Sequence, residues 1–365
     1  MGSIIKGKYL YVKVYETLRE KIATGEYETN DLLPSEQKIG KVFEVDRATV
    51  RKALKLLVDD GVVEKMPGIG TKVILPSAAM RREPVQNGNS VAFFLPRSVT
   101  NENRISQPFY SNLFFNVEDR CRRHGYQVYY STLDETDDIS ALFGNRNFAG
   151  VLFISNIHKP HIDYAVSRRI PSVLLNEYCE NIPSVLENNF EGSYLSCRHL
   201  IDMGHRKIAV LRGIRDYTSS KERMKGFLYA MYEANIPVCG KYIMDSEWDA
   251  ASGYREVGKL LHSLQTCQIP TAIAAFNDGS AFGAMQAISQ FGLKIPDDVS
   301  ITGFDNVDQS LYSVPSLTTI DTNIPMMADA AVENLLHQMS GAKAVNVKIL
   351  TPVKLIVRDS VGRTK

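Results

Sequence analysis

The sequence predicts a multidomain chain, a small helical head closed by a β-hairpin and then a larger α/β body built on two parallel sheets. Three observations predict it. The first 75 residues hold short, separately capped helices followed by "GVVEKMPGIGTKVIL". From residue 91, apolar runs of strand length alternate with amphipathic helical stretches, the pattern of parallel sheets covered on both faces. Between them "PSAAMRREPVQNGNS" is polar, rich in small residues, Pro and Gly, and without periodicity, as a linker is. The expected division is 1–75 for the head, 76–90 for the linker and 91–365 for the body, consistent with two or three domains in 365 residues.

In the head, Tyr11, Val14, Tyr15, Leu18 and Ile22 recur at helical spacing, and the helix is expected to stop near Gly25. Ser35, after Pro34, is a good N-cap for a helix burying Ile39, Val42 and Phe43. Asp46 caps the next helix, which buries Val50, Leu54 and Leu57 and turns Arg47, Arg51 and Lys55 outward. Like charges at i,i+4 cost about 0.2–0.5 kcal/mol per pair, so this stripe asks for an anionic partner or for plain solvation. The hairpin supplies a wing. Helix, helix, short turn, helix and wing make a winged helix-turn-helix, whose second helix presents such a stripe to the major groove. "GIGTKV" half-matches a dinucleotide Gly motif, but it lacks a third Gly and a following helix.

Composition narrows the partners. Net charge is +1 and 23% of residues are charged, so nucleic acid must be engaged by a local patch. The head itself holds only thirteen Lys and Arg against eleven Asp and Glu, so arrangement matters more than amount. Five scattered cysteines with no CxxC read as reduced thiols. The opening carries no signal-peptide pattern and no apolar run reaches spanning length, so a soluble, cytoplasmic protein with no membrane partner is expected. HExxH, GxSxG, Walker and metal-spaced Cys/His patterns are missing; "GSAFG" centres on Ala281, and "HKPH" (His158, His161) reads as a polar loop. No enzyme, no metal and no cofactor are therefore expected.

"LPSEQKIGKVFEVDRATVRKAL…LVDDGVVEKMPGIGTKV" resembles the GntR family nearly throughout. Asn30 replaces a usual Gly, and Asn tolerates the left-handed backbone there; Asp46 replaces a usual Ser or Thr, capping equally well but adding negative charge. The resemblance implies that Arg47 and Arg51 approach bases or phosphates of double-stranded operator DNA, Arg being the commonest bidentate partner of guanine. It further implies phosphate contacts from Ser35 and Thr49, Gln37 reaching the groove, and Gly68 letting the wing tip close on the minor groove.

In the body, the strand candidates are "SVAFFLP", "GYQVYYST", "FAGVLFIS", "PSVLLNE", "KIAVLRG", "TAIAAFND" and "VSITGFD". Ligands of open α/β sheets sit beyond the carboxyl ends of strands, which marks Asn176 and Glu177, Asn277 and Asp278, Asp305 and Asn306. "PFYSNLFFNVEDRCRRHGY", "IPSVLENNFEGSYLSCRHLIDMGHRKIAVLRG", "SSKERMKGF", "PTAIAAFNDGSAFGAMQAI" and "KIPDDVSITGFDN" resemble the LacI/GalR effector domain, a relative of the periplasmic sugar-binding proteins. The resemblance implies a periplasmic-binding-protein-like body with subdomains at about 91–177 plus 322–351 and 178–321 plus 352–365.

It also implies a sugar effector. Vicinal hydroxyls match carboxylates, amides and guanidinium groups, while C–H faces stack on aromatic rings. Arg223 is then the clamp, Asn277 and Asp305 the hydroxyl partners, and Trp248 the aromatic wall; Phe109, Tyr110, Asn176 and Glu177 face the cleft. The polar stretch "RSVTNENRISQP" is a further candidate to line or cover it. A GntR-type head on a LacI-type body resembles the arabinose-responsive repressors of Gram-positive bacteria. The expected function is a homodimeric repressor of sugar-use genes, released from its operator by a small sugar such as arabinose. The alternatives are a regulator answering a non-sugar metabolite and a cytosolic sugar-binding protein without regulatory role.

Overall fold

The protein is described as a computed structural model over residues 3–23, 25–59, 62–66, 69–74, 88–97, 104–264, 268–342 and 345–364. It divides into two units, 1–86 and 87–365, taken in turn.

The head is built from its caps inward. Helix α1 (Ser3–Ala23) buries Val14, Leu18 and Ile22, spaced by four. Gly25 follows it at φ 83° and Asn30 at φ 79°, left-handed positions that Gly and Asn accept. Helix α2 (Glu36–Phe43) starts where the Ser35 hydroxyl accepts from the Lys38 N–H, and α3 (Arg47–Asp59) where the Asp46 carboxylate accepts from the Thr49 N–H at 2.7 Å. Val50, Leu54 and Leu57 enter the shared core with Ile39 and the α1 stripe. Strands β1 (Val63–Met66) and β2 (Gly70–Val73) form the antiparallel wing, extended by a bridge from Leu32 to Lys72. One expectation fails: Val42 is 76% exposed. The α2 face turned to α3 is set by Ile39, Gly40 and Phe43, with Gly40 close against Val45 and Val50, which leaves Val42 on the flank.

The body adds β3 (Ser90–Pro96), β4 (Gln127–Leu133), β5 (Phe148–Ile154), β6 (Ser172–Leu175), β7 (Ser184–Glu187), β8 (Ile208–Arg212), β9 (Ile243–Asp245), β10 (Ala272–Ala275), β11 (Ser300–Thr302), β12 (Thr319–Asp321), β13 (Lys348–Thr351) and β14 (Lys354–Ile356). Two parallel sheets result, ordered β13-β7-β6-β5-β3-β4 and β11-β10-β8-β9, with β12 and β14 paired antiparallel beside them. All seven strand candidates lie in these sheets.

Alternation along β3 shows why both faces are covered. Phe93 packs under helices Pro108–Arg123 and Ile324–Met339, and Phe94 under Ile139–Asn145 and Lys159–Ser167. Both rings are fully buried, so truncating either to Ala costs about 3–5 kcal/mol. In the second lobe, Ile273 faces helices Ala250–Ser263 and Asp278–Gln290, while Ala272 and Ala274 face Asn189–Asp202 and Thr218–Glu233.

The chain passes between lobes after β7, after β12 and between β13 and β14. The expected subdomain boundary at 177/178 is corrected here: β7 pairs with β6 and β13 in the first sheet, so the first crossing falls after Glu187. "HKPH" is likewise no loop, because it opens the helix Lys159–Ser167 and buries His161, whose Nε2 meets the Asp134 carbonyl at 2.7 Å. Cys121, Cys179, Cys197 and Cys239 are free, and burial pushes the Cys121 thiol up to about 12. No helix among the described residues is long and apolar enough to cross a membrane.

Candidate functional site

Two sites arise, one on each unit. In the head, Arg47 and Arg51 stand on the outward face of α3, with side chains 70% and 57% exposed. Both turn their Nε to one oxygen of Glu36, at 2.8 and 3.0 Å, and the Lys65 ammonium on the wing lies 3.7 Å from the other oxygen. The hydrogen bonds from Arg47 and Arg51 hold the Glu36 carboxyl below its ordinary range, against its partial desolvation. A single carboxylate thus offsets the like-charge cost of the stripe and fixes two guanidinium planes. Among the described residues no hydrogen bond takes their terminal nitrogens, which leaves these available to an outside acceptor. Ser35 and Gln37 are exposed beside them, Thr49 is half-buried against Asp46, and Gly68 lies outside the described residues. Glu36 escaped the sequence reading because its partners stand 11 and 15 residues away on another helix.

In the body, a cavity of about 330 Å³ lies where the carboxyl ends of the two sheets face each other. Its lining includes Phe109, Tyr110, Asn176, Arg223, Trp248, Asn277 and Asp305, seven of the eight residues expected there. Glu177 is the exception: its carboxylate accepts from Asn156 Nδ2 at 2.7 Å and from the Thr218 N–H at 3.5 Å, capping the second lobe's helix instead of facing the cavity.

Arg223 organises the centre. The helix Thr218–Glu233 buries it, and its guanidinium donates to Asn189 Oδ1 at 2.6 Å, to the Phe276 carbonyl and to Glu187 Oε1 at 2.9 Å. The Phe304 ring lies 3.6 Å beneath it and Asp305 stands 3.8 Å away. Glu187, the last residue of β7, is fully buried and also accepts from the Asn176 amide at 3.1 Å, in the amide orientation that satisfies both of its ends. Asn176 then accepts from Ser155, and Ser155 from the Tyr110 hydroxyl at 3.1 Å. One hydrogen-bonded chain therefore runs from the first lobe into the second. Asn277 lines the cavity but has its amide committed: Oδ1 caps the helix at Ser280 and Nδ2 holds the Trp248 carbonyl at 2.8 Å.

Trp248 lies in the loop after β9 at φ 70°, and its indole packs over Gly213, where a Cβ would stand 2.0 Å from the ring. Gly213→Ala is thus expected to evict the indole from the cavity wall. Since Trp248 is the chain's one tryptophan, a red-shifted emission maximum in the variant checks this; an unmoved spectrum excludes it.

Asp278, fully buried, pins the loop that carries Asp305 by accepting from the Thr319 hydroxyl at 2.5 Å and the Val307 N–H at 2.9 Å. Burial nonetheless pushes its carboxyl up to about 7, and pushes Asp305 well above the carboxylate range. A folded pKa of about 7 against about 3.9 unfolded means the native state holds the extra proton between those values. The stability due to Asp278 is therefore full below pH ~4 and is lost as pH rises through ~7. Asp278→Asn should remove this slope, so the parent's advantage in melting temperature shrinks from pH 4 to pH 7.

Sequence reading missed Ser155, Tyr217 and Glu187, and reached Arg104 and Gln107 only as members of a longer stretch. Arg104 and Gln107 belong to the polar stretch marked as a candidate cover, and Glu187 was legible only as an acid ending an apolar run.

A helix-turn-helix head and a two-lobed body with a polar interlobe cavity define a ligand-binding DNA-binding protein. Residues 10–73 match the bacterial regulatory proteins of the gntR family, and residues 197–361 the periplasmic binding protein-like domain. The HTH-type transcriptional repressor PurR of Actinobacillus pleuropneumoniae is 32% identical over 271 residues, 72% of this chain and 78% of that protein. The probable HTH-type transcriptional repressor ExuR of Bacillus subtilis is 28% identical over 332 residues, 89% of this chain and 97% of that one. Among solved structures, a LacI family regulator from Enterococcus faecium with bound ribose superposes with a TM-score of 0.66 at 25% identity, covering 76% of this chain and all of that one. The chain belongs to this family of DNA-binding transcriptional repressors, with a gntR-type head on a LacI-type body.

Proposed function

We propose that the protein represses sugar-use genes from the cytoplasm as a homodimer on a pseudo-palindromic operator, and that a small sugar in the interlobe cavity releases it. One observation carries the effector reading: a buried guanidinium, amides and carboxyls converge on a cavity with an indole wall, the donor–acceptor and stacking set a sugar requires. The ribose bound in the Enterococcus faecium relative supports the same ligand class. Arabinose is one member of it. Exposed Phe115, Tyr232, Tyr312 and Val314 offer apolar surface for self-association, and two-fold proteins pair with two-fold sites.

Binding of the full-length protein to its own promoter, titrated with a panel of sugars, tests this reading. Release by at least one sugar supports it. Unchanged binding throughout, with no sugar raising the melting temperature, excludes a sugar effector.

On the DNA side, Ser35, Gln37, Arg47, Thr49, Arg51 and Gly68 are the proposed contacts. Arg51→Ala should weaken operator binding by about 1–3 kcal/mol and relax preference at one base pair, with effector binding unchanged. Equal affinities of variant and parent across a salt titration would remove Arg51 from the interface.

A further inference from the structure

Among the described residues, Arg104 is the cavity's unmatched charge. It sits in the short turn Arg104–Ser106 ahead of helix Pro108–Arg123, held by Ile105 packing into the first lobe's core. Its guanidinium is half-buried and lines the cavity, and it donates to the neutral Tyr217 hydroxyl at 3.3 Å. Among the described residues, no carboxylate pairs with it.

The other ionisable groups of the lining are accounted for. Arg223 is paired with Glu187 at 2.9 Å, and Glu247 with Arg255 at 3.5 Å. Asp305 is driven toward its neutral acid by burial. The balance leaves about one positive charge, half removed from water, and such a charge is costly until an anion meets it.

We infer that the effector is a sugar acid, whose single carboxylate is clamped by Arg104 from the first lobe while its hydroxyls meet Arg223, Asp305 and Asn176 against the Trp248 ring. This rests on the sugar reading above and narrows it. A carboxylate matches both the size of the surplus and the planar fork of one guanidinium. A sugar phosphate, at about −1.5 to −2 at pH 7, exceeds the surplus. The N-terminus of helix Thr218–Glu233, the natural extra donor for phosphate, already holds the Glu177 carboxylate. The clamp also bears on closure: Arg104 stands on the first lobe and Tyr217 on the second, so an anion held there joins both.

Calorimetry on the full-length protein with matched pairs tests the inference: galacturonate against galactose, glucuronate against glucose, and glucose 6-phosphate beside them. The expected result is that at least one acid binds 10-fold or more tighter than its neutral partner, with an affinity that falls as salt rises. Arg104→Gln, melting like the parent, should bring the acid down to the neutral sugar's level. Equal or tighter binding of the neutral sugars overturns the sugar-acid inference and leaves the sugar reading standing. Preference for the phosphate overturns the carboxylate assignment. Binding of no sugar, acid or neutral, overturns both readings. An acid preference that survives Arg104→Gln places the charge elsewhere and overturns the role of Arg104.

Discussion

Arg223→Ala is expected to abolish effector binding, by 100-fold or more, and to destabilise the body by about 3–5 kcal/mol. The two losses have one cause. Arg223 and Glu187 are both buried, with side chains 5% and 0% exposed, so removing the cation strands a carboxylate with no water to solvate it. A second variant separates the losses. Arg223→Met with Glu187→Gln removes both charges while keeping similar volumes, and replacing both members of a buried pair is often near neutral for stability. The double variant should therefore recover part of the stability lost in Arg223→Ala, stopping short of the parent because Asn189 Oδ1 and the Phe276 carbonyl lose their donor. It should still fail to bind the effector, because the donors that face the cavity are gone. If it binds normally, the guanidinium is a structural brace and not a ligand clamp. If the single variant melts like the parent, water or rearrangement already compensates Glu187.

Operator DNA and effector are expected to weaken each other's binding by the same factor, about 5–150-fold, corresponding to a coupling of about 1–3 kcal/mol. The proposed DNA-contacting stripe and the cavity lie on separate units of the chain, so the proposed repression and release would be joined through states of the whole protein that the two ligands favour unequally. Within the body, the elements that such states would rearrange are visible. Three chain crossings join the lobes, and the contacts Glu187–Arg223, Glu177–Thr218 and Arg104–Tyr217 tie them across the cavity. A ligand held by groups of both lobes favours the closed arrangement of those contacts. Effector affinity measured by calorimetry with and without saturating operator duplex gives the factor directly. An unchanged affinity would mean uncoupled sites, and tighter binding on DNA would mean a co-repressor in place of an inducer.

Much of this was legible in the residues themselves. Ser35 and Asp46 fixed the starts of α2 and α3, because a cap is a contact over three residues. The seven apolar runs became strands, since a doubly covered parallel strand is marked by its own length and composition. Their carboxyl ends mark where the cavity lies, and Asn176, Trp248 and Asp305 line it. What the chain could not declare locally was which distant groups meet. β7, with only Val185 and Leu186 apolar among its four residues, joins the first sheet by pairing with β6 and with β13, more than 160 residues later. Glu36 binds arginines on the next helix, and Glu187 meets Arg223, 36 residues away in the other lobe. The Asn277 amide is spent on a cap and a loop carbonyl, although its position alone marked it as a ligand group. Periodicity and capping are properties of neighbouring residues and can be read in order. The pairing of charges, and the charge of Arg104 that meets no carboxylate among the described residues, follow only from how two lobes close around shared space.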